Sequence, residues 1–232
     1  MSDDEKKLEE QHWAQTLERM HSGIMHIPSG KTIKEKQSAA QNILDEFNLT
    51  RPHENERRVA LMQEMFAEVG QDVYIEPPLH ANWGGKFVHL GKHIYINSSV
   101  TLVDDTHIYI GDYSMIGPNV VIATASHPIS PRFRQENFQY NLPVTIGKNV
   151  WIGSGVQIMP GITIGDNSVI GAGSVVTRDI PENVIAFGNP CRVHREISER
   201  DDNFYERDIA IDHDEVEKEI KYLSESLGEN LR

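Results

Sequence analysis

A six-residue rhythm governs the middle of the chain. Branched apolar residues recur at every sixth position: Ile146, Ile152, Ile158, Ile164, Ile170 and Val176. Glycine directly follows four of them. An α-helix cannot keep one apolar residue in every six on the same side, because its period is about 3.6 residues. Short strands joined by turns can do so, and each hexad then needs its neighbours to bury its core residue. The repeat therefore predicts a parallel β-helix.

A weaker form of the repeat precedes the strict hexads. Leu90, Ile96 and Leu102 lie six apart, the phase shifts by two residues at 104–105, and the rhythm resumes with Ile110, Ile116 and Ile122. Residues 127–143 then break it with large polar residues and three prolines, which predicts a loop projecting from the coil. With three hexads to a coil, we expect about four to five coils.

Both ends of the chain have helical spacing instead. Three apolar stripes precede the repeat: Leu8, Trp13, Leu17 and Met20; Ile33, Ala40, Ile43, Leu44 and Phe47; and Val59, Met62, Phe66 and Val69. Pro52 suits the first turn of the third helix and Gly70 its end. Val216, Ile220, Leu223 and Leu227 predict a C-terminal helix. We therefore expect a helical cap at 1–72, a β-helix at 73–200 and an acidic extension at 201–232.

Composition excludes several classes of function. The net charge of −13 argues against a nucleic-acid-binding surface, which is usually basic. A single cysteine, Cys191, rules out an internal disulfide and fits a reducing compartment. The N-terminus does not resemble a signal peptide, and no apolar run is long enough to span a membrane. The sequence predicts a soluble, cytoplasmic protein without a membrane or nucleic-acid partner.

His127 is the candidate catalytic residue that position alone suggests. It stands where the repeat stops and the loop begins. Loops projecting from a rigid scaffold often carry function, and histidine can act as a base near neutral pH.

Longer stretches resemble a known family. YINSSVTLVDD from Tyr95, IGDYSMIGPNVVIATASHP, and the segment from VTIGKNVWIGSG to NPCRV resemble the galactoside and maltose O-acetyltransferases, which are hexapeptide-repeat acyltransferases. The similarity extends to about residue 205 and includes EFN at Glu46–Asn48. It implies a left-handed parallel β-helix and a homotrimer with active sites between subunits. It also implies acetyl transfer from acetyl-CoA to a sugar hydroxyl.

The resemblance also implies roles for individual residues. His127 would be the general base, Asn97 would contact or orient the acceptor, and the Ser154 N–H would stabilise the oxyanion. The implied acceptor pocket also includes Tyr95 and Asp105. The implied acetyl-CoA site, with cations suited to its phosphates, comprises Trp151, Ser154, Ala172, Thr177, Arg178, Arg192 and Arg195.

Two acceptor contacts depart from the family pattern. An acidic residue is usual in the cap, but its position is taken by Pro28, and no carboxylate lies between Gly23 and Gly30. In the loop, Phe138 and Gln139 stand where the galactoside enzymes carry Glu and Met. These two departures leave open which sugar of the galactoside, maltose or glucose class is the natural acceptor.

Other functions fit parts of the pattern. A hexapeptide acyltransferase with a non-sugar acceptor and an inactive trimeric scaffold both remain alternatives. A zinc carbonic anhydrase on the same coil would need three converging histidines. His89 and His93, four residues apart, should face different ways, so no metal is expected.

Overall fold

The computed structural model describes residues 3–206 and 208–227. Three helices open the chain: α1 (Asp3–His21), α2 (Lys31–Asn48) and α3 (Asn55–Met65). The expected apolar stripes largely face inward: α2 buries Ile33, Leu44 and Phe47, and Met20 at the end of α1 is buried. Leu8 departs from this pattern, because it is 68% exposed.

Short strands then form three faces of a coil. The first face contains β1 (Glu68–Val69), β4 (Val88–Leu90), β7 (Ile108–Ile110), β12 (Val144–Ile146) and β15 (Thr163–Ile164). The second contains β2 (Tyr74–Ile75), β5 (Tyr95–Ile96), β8 (Met115–Ile116), β13 (Trp151–Ile152), β16 (Val169–Ile170), β18 (Val184–Gly188) and β19 (Cys191–Glu196). The third contains β3 (Leu79–Ala81), β6 (Val100–Val103), β9 (Val121–Ala123), β14 (Gln157–Ile158) and β17 (Val175–Val176). The strands of successive coils from β1 to β18 pair in parallel.

The repeated apolar residues stack directly on one another inside the coil. Ile96, Ile116, Ile152 and Ile170 pair in parallel register from coil to coil, and each is at most 1% exposed. The phase shift at 104–105 lengthens its coil without disturbing this register. The expected parallel β-helix with helices at both ends is thus confirmed.

The third helix of the cap is shorter than its apolar stripe predicted. It ends at Met65, whereas the stripe continued to Val69. Val69 belongs to the first strand of the coil, because its neighbours pair with the next coil. Gly70 does not end a helix: a Cβ there would lie 2.5 Å from the backbone of Gly91, so glycine permits two coils to stack. Pro52 precedes α3 and is not in its first turn.

The coil is longer than the hexads indicated. Five coils carry a strand on all three faces, and Ile180 with β18 begins a sixth. The prediction of four to five coils missed the first one, β1 to β3. Ile75 of that coil lies 21 residues before its partner Ile96, and Pro77 and Pro78 interrupt the segment, so the hexad pattern is hidden there.

The expected loop leaves the third face and returns to the first. Its base is an antiparallel pair, β10 (Ala125–Ser126) with β11 (Tyr140–Asn141). Between the two strands lies the short helix α4 (Pro131–Gln135). Gln139 also bridges to His26 of the cap, so three parts of the chain meet at the base of this loop.

The chain divides into two compact units, with the second beginning at Glu196. The cap and coil together form the first, since Leu44 and Phe47 share a core with Ile75 and Leu79. The second unit contains α5 (Glu199–Asn203), β20 (Phe204–Tyr205), β21 (Ile209–Ala210) and α6 (His213–Leu227). It begins five residues before the boundary expected at 200–201. The predicted C-terminal helix is confirmed as α6. Among the described helices, none has the length and apolar character needed to cross a membrane.

Candidate active site

A groove of about 460 Å³ runs along the second face of the coil. In each short strand the residue before the buried isoleucine points outward, because side chains alternate between the two sides of a strand. Tyr95, Met115, Trp151 and Val169 therefore form a column along the groove. Trp151 is the most prominent of them, with 54% of its surface exposed.

Five of the residues predicted from the sequence line this groove. They are Tyr95, Asn97, Trp151, Ser154 and Ala172. They come from three different coils, and parallel stacking brings them onto one surface. The family resemblance predicted that these five residues form one site, and the stacking of the coils explains how they come together.

Ser154 and Ala172 line the groove at the turns that follow β13 and β16. Within residues 3–206 and 208–227, no hydrogen bond uses the N–H of Ser154 or of Ala172. Glycines make room for both turns: a Cβ on Gly153 would meet the Ala172 nitrogen at 2.6 Å, and one on Gly117 would meet the Ser154 nitrogen at 2.8 Å. These turns can therefore donate hydrogen bonds to a bound carbonyl oxygen.

Asn97 occupies the position that glycine takes after later repeated isoleucines. Its Oδ1 accepts a hydrogen bond from the Ser98 N–H at 2.8 Å. Its backbone N–H donates to the carbonyl of Ile116 at 2.9 Å. Nδ2 has no partner among the described residues, so the amide presents a fixed donor at the groove.

His127 directly follows β10 at the base of the loop and is exposed. Its Nδ1 lies 2.8 Å from the carbonyl oxygen of Phe138. A carbonyl can only accept, so Nδ1 carries the hydrogen in this contact and Nε2 of the neutral ring is left as an acceptor. His127 is not one of the residues that line the groove of its own chain.

Asp105 lies in a buried polar network rather than in the groove wall. Its Oδ1 accepts from Gln139 Nε2 at 3.1 Å, and its Oδ2 accepts from Asn82 Nδ2 at 2.8 Å. Gln139 also donates to Asn141 Oδ1 at 2.9 Å. Asn141 in turn donates to the carbonyl of Met20. We expected Asp105 to contact the substrate that accepts the acetyl group. Both of its carboxylate oxygens already accept hydrogen bonds within the protein, and the contact with substrate stays a prediction.

The residues expected to hold the far end of CoA lie beyond the groove. Thr177 and Arg178 follow β17, and Arg192 and Arg195 lie on β19. All four are exposed. Arg192 Nη1 donates to the carbonyl of Cys191 at 2.7 Å. None of these four residues lines the groove.

The cap segment around Pro28 carries exposed apolar residues. Ile24, Met25 and Ile27 are exposed. His26 between them is buried, and its backbone exchanges two hydrogen bonds with Gln139, at 2.8 and 2.9 Å. This pairing holds the segment beside residue 138, whose carbonyl contacts His127.

Comparison with known proteins agrees with this architecture. Residues 143–178 match the model of the bacterial transferase hexapeptide (six repeats), and residues 19–70 match the maltose acetyltransferase hexapeptide capping motif. The galactoside O-acetyltransferase of Lactococcus lactis subsp. lactis (strain IL1403) is 47% identical over 201 residues, covering 87% of this chain and 97% of that relative. The galactoside O-acetyltransferase of Escherichia coli (strain K12) is 45% identical over 195 residues, covering 84% and 96%. The chain belongs to the galactoside and maltose O-acetyltransferase family.

A solved structure supports the same assignment for this O-acetyltransferase. It is a galactoside acetyltransferase in complex with coenzyme A, with a TM-score of 0.81 and 45% sequence identity. The match covers 84% of this chain and 97% of the other. The family recognised from sequence motifs, and with it the class of enzyme, is thus confirmed.

Histidines of this O-acetyltransferase also cluster away from the groove. His21 Nδ1 lies 2.8 Å from Thr106 Oγ1, and His107 Nδ1 lies 2.9 Å from His89 Nε2. Burial, then the neighbouring His107 and His26, lower the pKa of His21 to about 4. Burial and His89 likewise lower the pKa of His107.

His89 and His93, the pair considered for a metal-dependent rival, belong to different ring stacks. His89 stacks on Tyr109 and His93 stacks on Tyr113, with ring centroids 4.6 and 4.8 Å apart. Among the described residues, no group of three or more histidine, cysteine or acidic side chains is arranged to hold a metal ion.

Sequence reasoning overlooked part of the groove of this O-acetyltransferase. Met115 and Val169 line it beside Trp151. The signal was available, since each precedes a repeated isoleucine and must point outward. The buried contact between Gln139 and Asp105 carried no such signal, because these residues lie 34 positions apart in the sequence.

Proposed function

We propose that this O-acetyltransferase moves the acetyl group of acetyl-CoA to a hydroxyl of a sugar of the galactoside, maltose or glucose class, with His127 as the general base. One observation carries the proposal. The contact of Nδ1 with the Phe138 carbonyl leaves Nε2 of an exposed imidazole available to accept a proton.

The proposed reaction needs one base and one oxyanion site. Nε2 of His127 takes the proton of the acceptor hydroxyl while that oxygen attacks the thioester carbonyl carbon. The Ser154 N–H donates to the resulting oxyanion. The carbon–sulfur bond then breaks, and the imidazolium returns the proton to the CoA sulfur. Asn97 Nδ2 is suited to orient the acceptor.

The same assignment gives the groove a role in holding acetyl-CoA. Trp151 would pack along the pantetheine arm, and the Ala172 N–H would donate to one of its carbonyls. Arg178, Arg192 and Arg195 would meet the phosphates, with Thr177 as a further polar contact. The exposure of the arginines at the last coil supports this part.

A homotrimer with sites between subunits would complete the arrangement. One chain supplies a groove whose wall does not include its own His127. A neighbouring copy could bring its His127 to that groove, as a closed ring of three identical interfaces would do for all three sites. The separation of base and groove within one chain supports a shared site.

A non-sugar hydroxyl acceptor is the second candidate. The cap segment offers exposed Ile24, Met25 and Ile27 beside Pro28. A carboxylate would hold several sugar hydroxyls through charge-assisted hydrogen bonds. Its absence between Gly23 and Gly30 favours an acceptor with fewer hydroxyls and an apolar part.

The deciding experiment measures CoA release from acetyl-CoA across a panel of acceptors. The panel contains galactosides, maltose, glucose, amino sugars, serine and chloramphenicol. We expect turnover with a sugar and a loss of about 10²–10⁴ in rate for His127→Ala. His53→Ala, at an exposed histidine of the cap turn, is the matched control and should retain full activity.

Other outcomes have distinct meanings. Turnover only with a non-sugar hydroxyl would favour the second candidate. Equal turnover in wild type and His127→Ala would reject His127 as the base. Failure to bind acetyl-CoA, measured by calorimetry, would leave the trimeric scaffold as the remaining alternative.

A further inference from the structure

We propose that Gln139 is a positioning residue, which holds the catalytic loop so that the Phe138 carbonyl fixes the ring of His127. This inference deepens the proposed function and rests on it. The carrying observation is a buried network in which one amide joins the loop, the coil and the cap. Gln139, Asp105 and Asn141 are 7%, 8% and 0% exposed.

The side chain of Gln139 makes two hydrogen bonds inside this network. Nε2 donates to Asp105 Oδ1 at 3.1 Å and to Asn141 Oδ1 at 2.9 Å. Both hydrogens of that amide nitrogen are therefore used. The second oxygen of Asp105 is held by Asn82, so the carboxylate is fixed from two sides and anchors the loop to the coil.

The backbone around Gln139 carries this anchoring to His127. Gln139 directly follows Phe138, whose carbonyl accepts from His127 Nδ1. Tyr140 and Asn141 pair with Ser126 and Ala125, the two residues before His127. A shift of residues 138–141 would therefore move the carbonyl relative to the imidazole.

Other hydrogen bonds also hold this strand: the Gln139 backbone exchanges two with His26, and Asn141 Nδ2 donates to the carbonyls of Met20 and Asp105. The Gln139 side chain is the strand's contact with the Asp105 carboxylate. The β10–β11 ladder is two residues long on each side, and a two-stranded ladder alone is marginally stable in water. His127 is exposed, so packing does not fix its ring. Without the buried amide, Asp105 and Asn141 would each keep a buried acceptor without a donor, which favours displacement of the loop.

The first test replaces Gln139 with methionine, which keeps the length of the side chain and removes its donors. The galactoside enzymes carry Met at this position, but in this chain the change removes the donor shared by Asp105 and Asn141. We therefore expect kcat of Gln139→Met to fall about 10- to 100-fold, since only part of the contribution of a general base is lost. The KM for acetyl-CoA should stay within about threefold, because the network does not line the groove. Gln157→Met, on β14 of the third face, is the matched control and should leave both constants unchanged.

The second test reads the His127 ring directly and needs no acceptor. In protein labelled with ¹⁵N-histidine, the His127 resonances are assigned by difference from His127→Ala. The neutral ring of wild type should show Nδ1 protonated and Nε2 unprotonated. Gln139→Met should shift the ring toward a mixture of the two tautomers, whereas Gln157→Met should not.

A third test exchanges the hydrogen-bond donor and acceptor between positions 139 and 105. It distinguishes loss of this contact from misfolding of a single variant. Gln139→Glu alone places two carboxylates about 3 Å apart and should reduce kcat at least tenfold. Adding Asp105→Asn restores a donor opposite the new acceptor. The double variant should recover most of that loss, a non-additive result expected only for groups in contact.

These experiments separate failure of the positioning role from failure of the proposed function. Unchanged kcat and an unchanged ring tautomer in Gln139→Met would overturn the positioning role. So would a double variant that folds, binds acetyl-CoA and recovers nothing. Full turnover in His127→Ala would instead reject the general base, whatever the tautomer result.

Discussion

The backbone N–H of Ser154 is the proposed hydrogen-bond donor to the oxyanion. Trp151 pairs with Met115, so Ser154 lies in register with Pro118 of the preceding coil. Gly155 N–H donates to the Pro118 carbonyl at 2.9 Å across these two turns. Two successive coils therefore place different residues at this corner: Pro118, which has no backbone N–H, and Ser154, which has one.

The equivalence of positions 118 and 154 leads to a testable prediction for the oxyanion site. Ser154→Pro should fold, because Pro118 already occupies the equivalent corner, but it deletes the donor. We expect kcat to fall about 10²–10³-fold with little change in thermal midpoint, as for removal of one oxyanion donor. Steady-state rates and thermal unfolding measure the two effects.

The matched control is Ser154→Ala, which removes the hydroxyl and keeps the N–H. Its kcat should stay within about threefold of wild type. A large loss in Ser154→Ala, or full activity in Ser154→Pro, would contradict an oxyanion role for the backbone.

Individual residues also mark the limit of sequence reasoning. The resemblance predicted that Tyr95, Trp151 and Ala172 belong to one site, and the hexad period explains why Tyr95 and Trp151 point outward. Asp105 could not be placed in the same way. Its partner Gln139 lies 34 residues away, across a loop that has no repeat, so no period predicts that contact.

At the scale of elements, the end of α1 is attached to the coil through a histidine. The His21 ring lies against His107 and Phe87, with centroids 4.6 and 4.7 Å apart. Its pKa is lowered to about 4 chiefly by burial. The ring is therefore neutral in the folded protein at pH values where an unfolded chain would already bind a proton.

Stability should consequently decline in acid. As the pH falls from about 6.5 toward 4, the unfolded state binds a proton at this histidine and the folded state does not. The folded protein therefore loses stability over this pH range, relative to its stability above about pH 6.5. His21→Gln cannot be protonated there, so its free energy of unfolding should decline by about 1–3 kcal/mol less between pH 7 and pH 4.

Urea unfolding at fixed protein concentration measures this difference. His53→Ala serves as the control, because that histidine is exposed, and it should follow wild type. Identical pH dependence in wild type and His21→Gln would show that His21 does not contribute to acid sensitivity.

The sequence predicts where some helices and strands begin and end better than it does for others. The strict hexads predicted β12 to β17, since glycine after isoleucine has a steric cause in the stacked turns. The end of α3 was misplaced, because Val59, Met62, Phe66 and Val69 continue a helical spacing by coincidence. Only the pairing of β1 with β4 reveals where the helix stops.

At the scale of the whole molecule, the proposed trimer makes a prediction about mixed assemblies. One parent would be His127→Ala, which keeps the groove. The other would be Ala172→Tyr, which obstructs the groove and keeps His127. Each should be almost inactive alone. In random mixed trimers with shared sites, activity should recover to about a quarter of wild type, because most rings then contain one intact site of three.

Refolding the two variants together and separately provides the measurement. Size-exclusion chromatography verifies that both assemble. Recovery that vanishes when the variants are mixed after assembly supports sites between subunits. Absence of recovery after joint refolding would mean that base and groove come from the same chain.

The cap has a consequence for the assembly as a whole. A coil of stacked strands has two open ends, and an uncovered end offers N–H and C=O groups to any other chain with the same repeat. Leu44, Phe47 and Met65 share a core with Leu79 of the first coil, so helices close that end. Growth by adding copies end to end, as in a fibril, is therefore blocked at that end of the coil.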